Sequence, residues 1–93
     1  MPIVKATLAH GRAAPTTTRV EIVPSNGQRT SVTLTNLGAV TVYLGGPNVS
    51  TANAGATIEA GQEWRDEDSG AAWYGITASG TGDVGWFESS GGT

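Results

Sequence analysis

The chain has 93 residues, a formal net charge of −3 and no cysteine, and only 14% of its residues are charged. The length predicts one domain with a modest core, the missing thiols exclude disulfides and thiolate metal sites, and the acidic balance argues against nucleic-acid binding. Sparse charge is typical either of an ordinary threonine-rich β-protein or of a surface that other subunits cover. Because no apolar run could span a bilayer and no secretion leader is evident, we expect synthesis in a cytoplasm and no membrane partner.

The first 15 residues begin with an extended-looking segment, Pro2–Ala9 (PIVKATLA), and then break at Gly11 and Pro15. Alternating side chains in this segment predict either a first strand of the domain or an arm that adds a strand to the sheet of a partner. His10 is the single histidine of the chain. It is expected to be a solvated loop residue and not a metal ligand, because the chain has no cysteine or second histidine with which it could hold a metal.

The strongest alternation of apolar and hydroxyl side chains runs from Arg29 to Gly46. It is interrupted at Asn36–Gly38, which is typical of a tight turn, and neither half has helical spacing. We therefore predict a β-hairpin with one apolar face. The preceding segment Thr16–Val23 alternates as well, and the turn residues Pro24–Gly27 predict a second hairpin whose apolar side chains face the same core.

Shorter strands are predicted over Thr57–Glu59, Gln62–Arg65, Ala72–Ser79 and Val84–Glu88, each bounded by turn residues. Trp64 is expected to point inward and fill the core, since its neighbours Glu63 and Arg65 are charged. Two adjacent pairs leave open which large ring is buried: Trp73 with Tyr74, and Trp86 with Phe87.

About seven to nine short strands with turn residues between them, and no helical segment, predict an all-β fold. The expected architecture is a small antiparallel β-sandwich or jelly roll without a substantial helix. Residues 16–89 are assigned to this β-sandwich domain. An N-terminal strand or extended arm over residues 1–15 precedes it, and a flexible tail over residues 90–93 follows it.

The sequence contains only partial matches to known catalytic and ligand-binding motifs. The acidic run Arg65–Gly70 lacks the alternating acids of an EF-hand calcium loop. Gly80–Gly85 spells the G-x-G-x-x-G of dinucleotide-binding folds, but that motif needs a following helix, and a strand is predicted here. These glycines are therefore interpreted as the turn of a hairpin. With one histidine and no nucleophile motif, a catalytic triad is not expected, and we predict no catalysis, no metal site and no cofactor.

The pattern T-N-x-G-x-V-x-V-Y-L-G-G over Thr35–Gly46, followed by the turn Ala60–Gln62 and by Trp73–Ala78, resembles small β-rich virion structural proteins of tailed bacteriophages and prophages. The resemblance covers about residues 17 to 88, and no functional residues can be carried over from it. It implies a capsid decoration protein on the outer head surface. Two alternatives stay open: a tail or head-fibre module, and, from a different class, a carbohydrate-binding β-sandwich that uses Trp73, Tyr74 or Trp86 as a stacking platform.

The same resemblance implies the partners. A decoration protein would bind the major capsid protein over subunit junctions, as a symmetric homo-oligomer with a trimer favoured, and would have no nucleic-acid partner. The N-terminal segment is the natural piece to pair with the edge of a capsid strand. The predicted partner-binding residues are Pro2, Ile3, Val4, Lys5 and Leu8.

Overall fold

A computed structural model describes residues 7–67 and 69–91 and shows a β-sandwich of two antiparallel sheets. Sheet A has the strand order β1-β8-β3-β6, and sheet B has the order β2-β7-β4-β5. This is the strand order of an eight-stranded jelly roll, and no helix occurs in the described ranges. The predicted all-β fold class is confirmed. The strands are β1 (Thr7–Ala13), β2 (Val20–Val23), β3 (Arg29–Asn36), β4 (Val42–Gly45), β5 (Ala56–Ile58), β6 (Glu63–Asp66), β7 (Trp73–Ile76) and β8 (Val84–Ser90).

The hairpin predicted between Arg29 and Gly46 is wrong, because β3 lies in sheet A and β4 lies in sheet B. The buried side chain of Asn36 explains the crossing. Its amide group donates hydrogen bonds to the carbonyl oxygens of Val40 (2.8 Å) and Ile58 (3.0 Å), and its Oδ1 accepts one from the Gly38 N–H (3.0 Å). These bonds hold the connection between β3 and β4 as it crosses from sheet A to sheet B. The apolar faces of the two strands therefore meet across the core instead of lying side by side.

The other two predicted hairpins fail in the same way. β2 pairs with β7 while β3 pairs with β6 and β8, so the Pro24–Gly27 turn joins the two sheets. Gly80–Gly85 leads from β7 in sheet B to β8 in sheet A. Gly80 and Gly82 precede β8 and Gly85 lies within it, so a strand follows as expected, but the segment does not close a hairpin.

The core lies between the sheets and contains the apolar residues that the alternation predicted. Gly75 on β7 permits this packing, since a Cβ there would lie 2.4 Å from Cδ1 of Ile22. The Trp73 and Trp86 rings both pack against the core, whereas Phe87 is 54% exposed, which settles the two ambiguous pairs. The buried core residues are Ile22, Val23, Val32, Leu34, Val42, Leu44, Ile58 and Val84.

Trp64 does not fill the core as expected. Its register opposite Leu34 does place it on the inner face of sheet A. However, β6 is an edge strand, so the ring lies at the open side of the sandwich and is 39% exposed.

One ion pair is buried inside the sandwich. The guanidinium of Arg29 is fully buried, and its Nε donates to Oε2 of Glu88 at 2.7 Å. Its Nη atoms donate to the carbonyl oxygens of Pro24 (2.6 Å), Ser69 (3.2 Å) and Ala71 (2.7 Å). One side chain thus joins β8, the β2–β3 turn and the segment that leads into β7.

A second ion pair, on the surface, links β1 to the residue that precedes β8. Arg12 forms paired hydrogen bonds to the carboxylate of Asp83, including Nε to Oδ1 at 3.1 Å. The hydrogen bonds donated by Arg12 are the main cause that lowers the pKa of Asp83 below its ordinary value. Both side chains are partly exposed, so solvent screens the pair.

We expect Arg29→Met to destabilise the domain by about 3 to 5 kcal/mol, because it leaves the Glu88 carboxylate buried without its partner. Urea unfolding monitored by circular dichroism measures the change. Arg65→Met, which breaks an exposed pair with Glu67, serves as the control and should have only a small effect. An unfolding midpoint of Arg29→Met equal to that of Arg65→Met would contradict the proposed importance of the buried pair.

We also expect Asp83→Asn to lower stability slightly at pH 7 and by less at pH 3. Since the pKa of Asp83 is lowered in the folded state, its contribution is present above the ordinary carboxyl pKa of about 3.9 and is lost as the pH falls through the folded-state value. Urea midpoints at the two pH values test this. Arg12→Met should give the same loss, and the double variant should lose no more than either single variant. A pH-independent difference would show that Asp83 acts through something other than its charge.

Candidate interaction surfaces

The free edge of β1 is the first candidate surface. β1 pairs with β8 along its whole length, from Thr7 opposite Ser90 to Ala13 opposite Val84, and it is the edge strand of sheet A. Alternate backbone N–H and C=O groups on its other side are therefore available to a further strand. Of the predicted partner-binding residues, Leu8 lies on this strand and is 77% exposed, whereas Pro2, Ile3, Val4 and Lys5 lie outside the described residues.

Two expectations about this segment were wrong. The chain does not break at Gly11, because β1 continues through it to Ala13. A Cβ at Gly11 would lie 2.9 Å from the Trp86 ring, so the glycine allows that ring to pack beneath β1. His10 lies within β1 opposite Phe87, and not in a loop.

An exposed apolar patch covers the outer face of sheet A. Leu8 lies opposite Ser89, which shares its face of β8 with Phe87. Leu37 reaches the same face, since its Cδ1 lies 2.7 Å from the position that a Cβ on Gly85 would occupy. We call Leu8, Phe87 and Leu37 the sheet A stripe; they are 77%, 54% and 53% exposed. Of the four large hydrophobic side chains exposed in the described ranges, these three share one face.

A groove opens at the opposite edge of the sandwich, beside β6. It has a volume of about 450 Å³, and the rings of Trp64 and Trp73 meet in it edge to face, with centroids 6.2 Å apart and planes inclined by 64°. The indole N–H of Trp73 donates to Oδ2 of Asp66 at 3.2 Å. We call this the tryptophan groove. It is lined by Gly45, Gly46, Gly55, Trp64, Arg65, Asp66, Glu67, Ser69, Ala71, Ala72 and Trp73.

The buried ion pair shapes this groove. Two of its lining residues, Ser69 and Ala71, offer the carbonyl oxygens that accept hydrogen bonds from Arg29. At the rim, Nε of Arg65 donates to Oε1 of Glu67 at 2.6 Å. Hydrogen bonds from Arg29 therefore fix one part of the groove lining, and charged side chains lie at the rim. Its two-tryptophan composition was missed by sequence reasoning, because Trp64 and Trp73 belong to strands of different sheets.

Neither a metal centre nor a membrane-spanning helix is found in residues 7–67 and 69–91. No three His, Asp or Glu side chains in these ranges are grouped closely enough to hold a metal ion. No helix in them is long and apolar enough to cross a membrane.

Comparison with known protein families and with curated proteins finds no match. Among solved structures, the chain is similar to a protein of Bacillus endospore appendages, described as forming a novel family of disulfide-linked pili. The TM-score is 0.54 at 16% sequence identity, and the alignment covers 97% of this chain and 89% of that one. This likeness shows a shared fold.

Proposed function

We propose that this chain is a structural subunit of a tailed-bacteriophage virion, with no catalytic role, and that it binds the outer surface of the capsid as a decoration protein. The observation that carries the proposal is the sheet A stripe beside the free edge of β1. Together they form one continuous side of the molecule that offers both apolar contact and strand pairing. The resemblance over Thr35–Gly46 supplies the class of assembly.

The chemistry of this side suits a protein partner. Exposed apolar side chains that share one face are typical of interaction sites. Arg12, on β1, is paired there with Asp83. Thr33, opposite Phe87, is only 5% exposed, so the centre of the face is already closely packed. A partner would bury the stripe at little cost in desolvated charge.

Attachment would combine the stripe with the N-terminal segment. Pro2, Ile3, Val4 and Lys5 directly precede β1 in the sequence and would extend its free edge against a strand of the major capsid protein. A single copy offers a modest contact, so a symmetric oligomer such as a trimer would multiply it at a junction of capsid subunits. We therefore propose the outer surface of the virion as its location.

A tail or head-fibre module is the second candidate, and the fold comparison favours it to this extent: the similar protein belongs to a filamentous appendage. The disulfide linkage described for those pili cannot apply to this chain, which has no cysteine. A filament of this protein would require noncovalent contacts. Electron cryomicroscopy of virions released by the cells that encode the chain separates the two candidates by where its density lies.

We expect Leu8→Asp and Phe87→Asp each to weaken binding to capsids by about tenfold or more, equivalent to at least about 1.4 kcal/mol, because each puts a carboxylate into an apolar contact. Co-sedimentation of the purified protein with heads that lack it measures the affinity. Thr57→Asp provides the matched control, since Thr57 is exposed on β5 of the other sheet. Undiminished binding by both stripe variants, or equal loss by the control, would refute this attachment surface.

A further inference from the structure

We propose that the tryptophan groove binds a pyranose ring of a glycan. This site lies at the β6 edge of sheet A, whereas the sheet A stripe lies beside β1 at the other edge. The inference therefore goes beyond the proposed function and does not depend on it. It also replaces the stacking platform expected from the sequence, because Trp86 packs against the core and Trp64 takes its place.

The aromatic wall is the first argument. Trp64 keeps 39% of its surface exposed. The edge-to-face contact with Trp73 holds its ring in one orientation, and Trp73 is itself held by its hydrogen bond to Asp66. A fixed, partly exposed indole offers a flat apolar surface at low entropic cost. The C–H face of a pyranose ring is the ligand surface that matches it.

The polar groups beside that wall are the second argument. Asp66, Glu67 and Arg65 all line the groove and together supply carboxylate acceptors and a guanidinium donor. Sugar hydroxyls can both donate and accept, so they can pair with all three. A nucleotide phosphate would meet two carboxylates and be repelled.

The glycines of the lining are the third argument. Gly45, Gly46 and Gly55 line the groove and contribute no side chain to it. A Cβ placed on Gly46 would meet no atom within 4 Å. The resulting volume of about 450 Å³ lies within the roughly 300–1,000 Å³ range of small-molecule sites. Arg29 bonds to the carbonyl oxygens of Ser69 and Ala71, which line the groove, so this part of the groove has a fixed shape before a ligand binds.

The test compares four forms of the protein on a printed array of microbial and mammalian glycans. The parent and Phe87→Ala should bind the same spots, because Phe87 is an exposed aromatic residue on the other surface. Trp64→Ala should lose them through loss of the stacking ring. Gly46→Phe should lose them too, because Gly46 lines the groove and a phenyl ring there is expected to narrow it while both tryptophans stay in place. Circular dichroism establishes that each variant is folded.

A soluble oligosaccharide from the strongest spot is then titrated into ¹⁵N-labelled protein. The indole N–H resonances of Trp64 and Trp73 should shift saturably while that of Trp86 stays still, and Trp64→Ala should bind about tenfold more weakly or worse. The inference is overturned if no spot depends on Trp64, or if binding survives Gly46→Phe. Loss of glycan binding with capsid binding intact would separate this site from the proposed attachment surface.

Discussion

A guanidinium buried in a small β-sandwich needs a counter-charge and a hydrogen-bond acceptor at each of its three nitrogen atoms, because an unpaired charge there would cost more than the domain can lose. Arg29 meets this condition with Glu88 and three backbone carbonyl oxygens. No buried side-chain nitrogen or oxygen in the described ranges lacks a partner. Since the acceptors come from separate segments, the same bonds that satisfy the charge also position β8, the β2–β3 turn and the entry to β7. The architecture of this end of the molecule depends on one side chain.

The two candidate surfaces differ in how they depend on this side chain. Arg29 bonds to Ser69 and Ala71, which line the tryptophan groove, so these bonds fix part of the shape of the groove. The sheet A stripe lies on the outer face of the sheet, where its position depends only on strand register. β1 and β6 are the two edges of sheet A, so a partner at the stripe leaves the groove open. The proposed attachment surface and the proposed glycan site therefore lie on different sides of the molecule.

Part of each surface could be anticipated from residues alone. Leu8 was predicted as a contact residue, and it is exposed on an edge strand. Phe87 and Leu37 were not singled out, since nothing local distinguishes an outward ring from an inward one beside Trp86. In the groove, Trp73 was named as a possible stacking residue, but its contact with Trp64 was not predicted, because the two tryptophans are nine residues apart in strands of different sheets. Local patterns carry no information about which strand ends form an edge of the sandwich.

Alternation of apolar and polar side chains determined, without any structure, that this chain is all-β and which alternate apolar residues of β3 and β4 face the core, although it missed Val23, which is buried beside a register shift in β2. It did so because a strand with one buried face has a period of two whatever its neighbours are. Pairing was decided only by the tertiary structure. The apolar faces of β3 and β4 could be buried either as neighbours in one sheet or facing each other across the core. The local sequence pattern is the same for both arrangements. Asn36, whose amide reaches Val40 and Ile58 from the inside, holds the arrangement across the core.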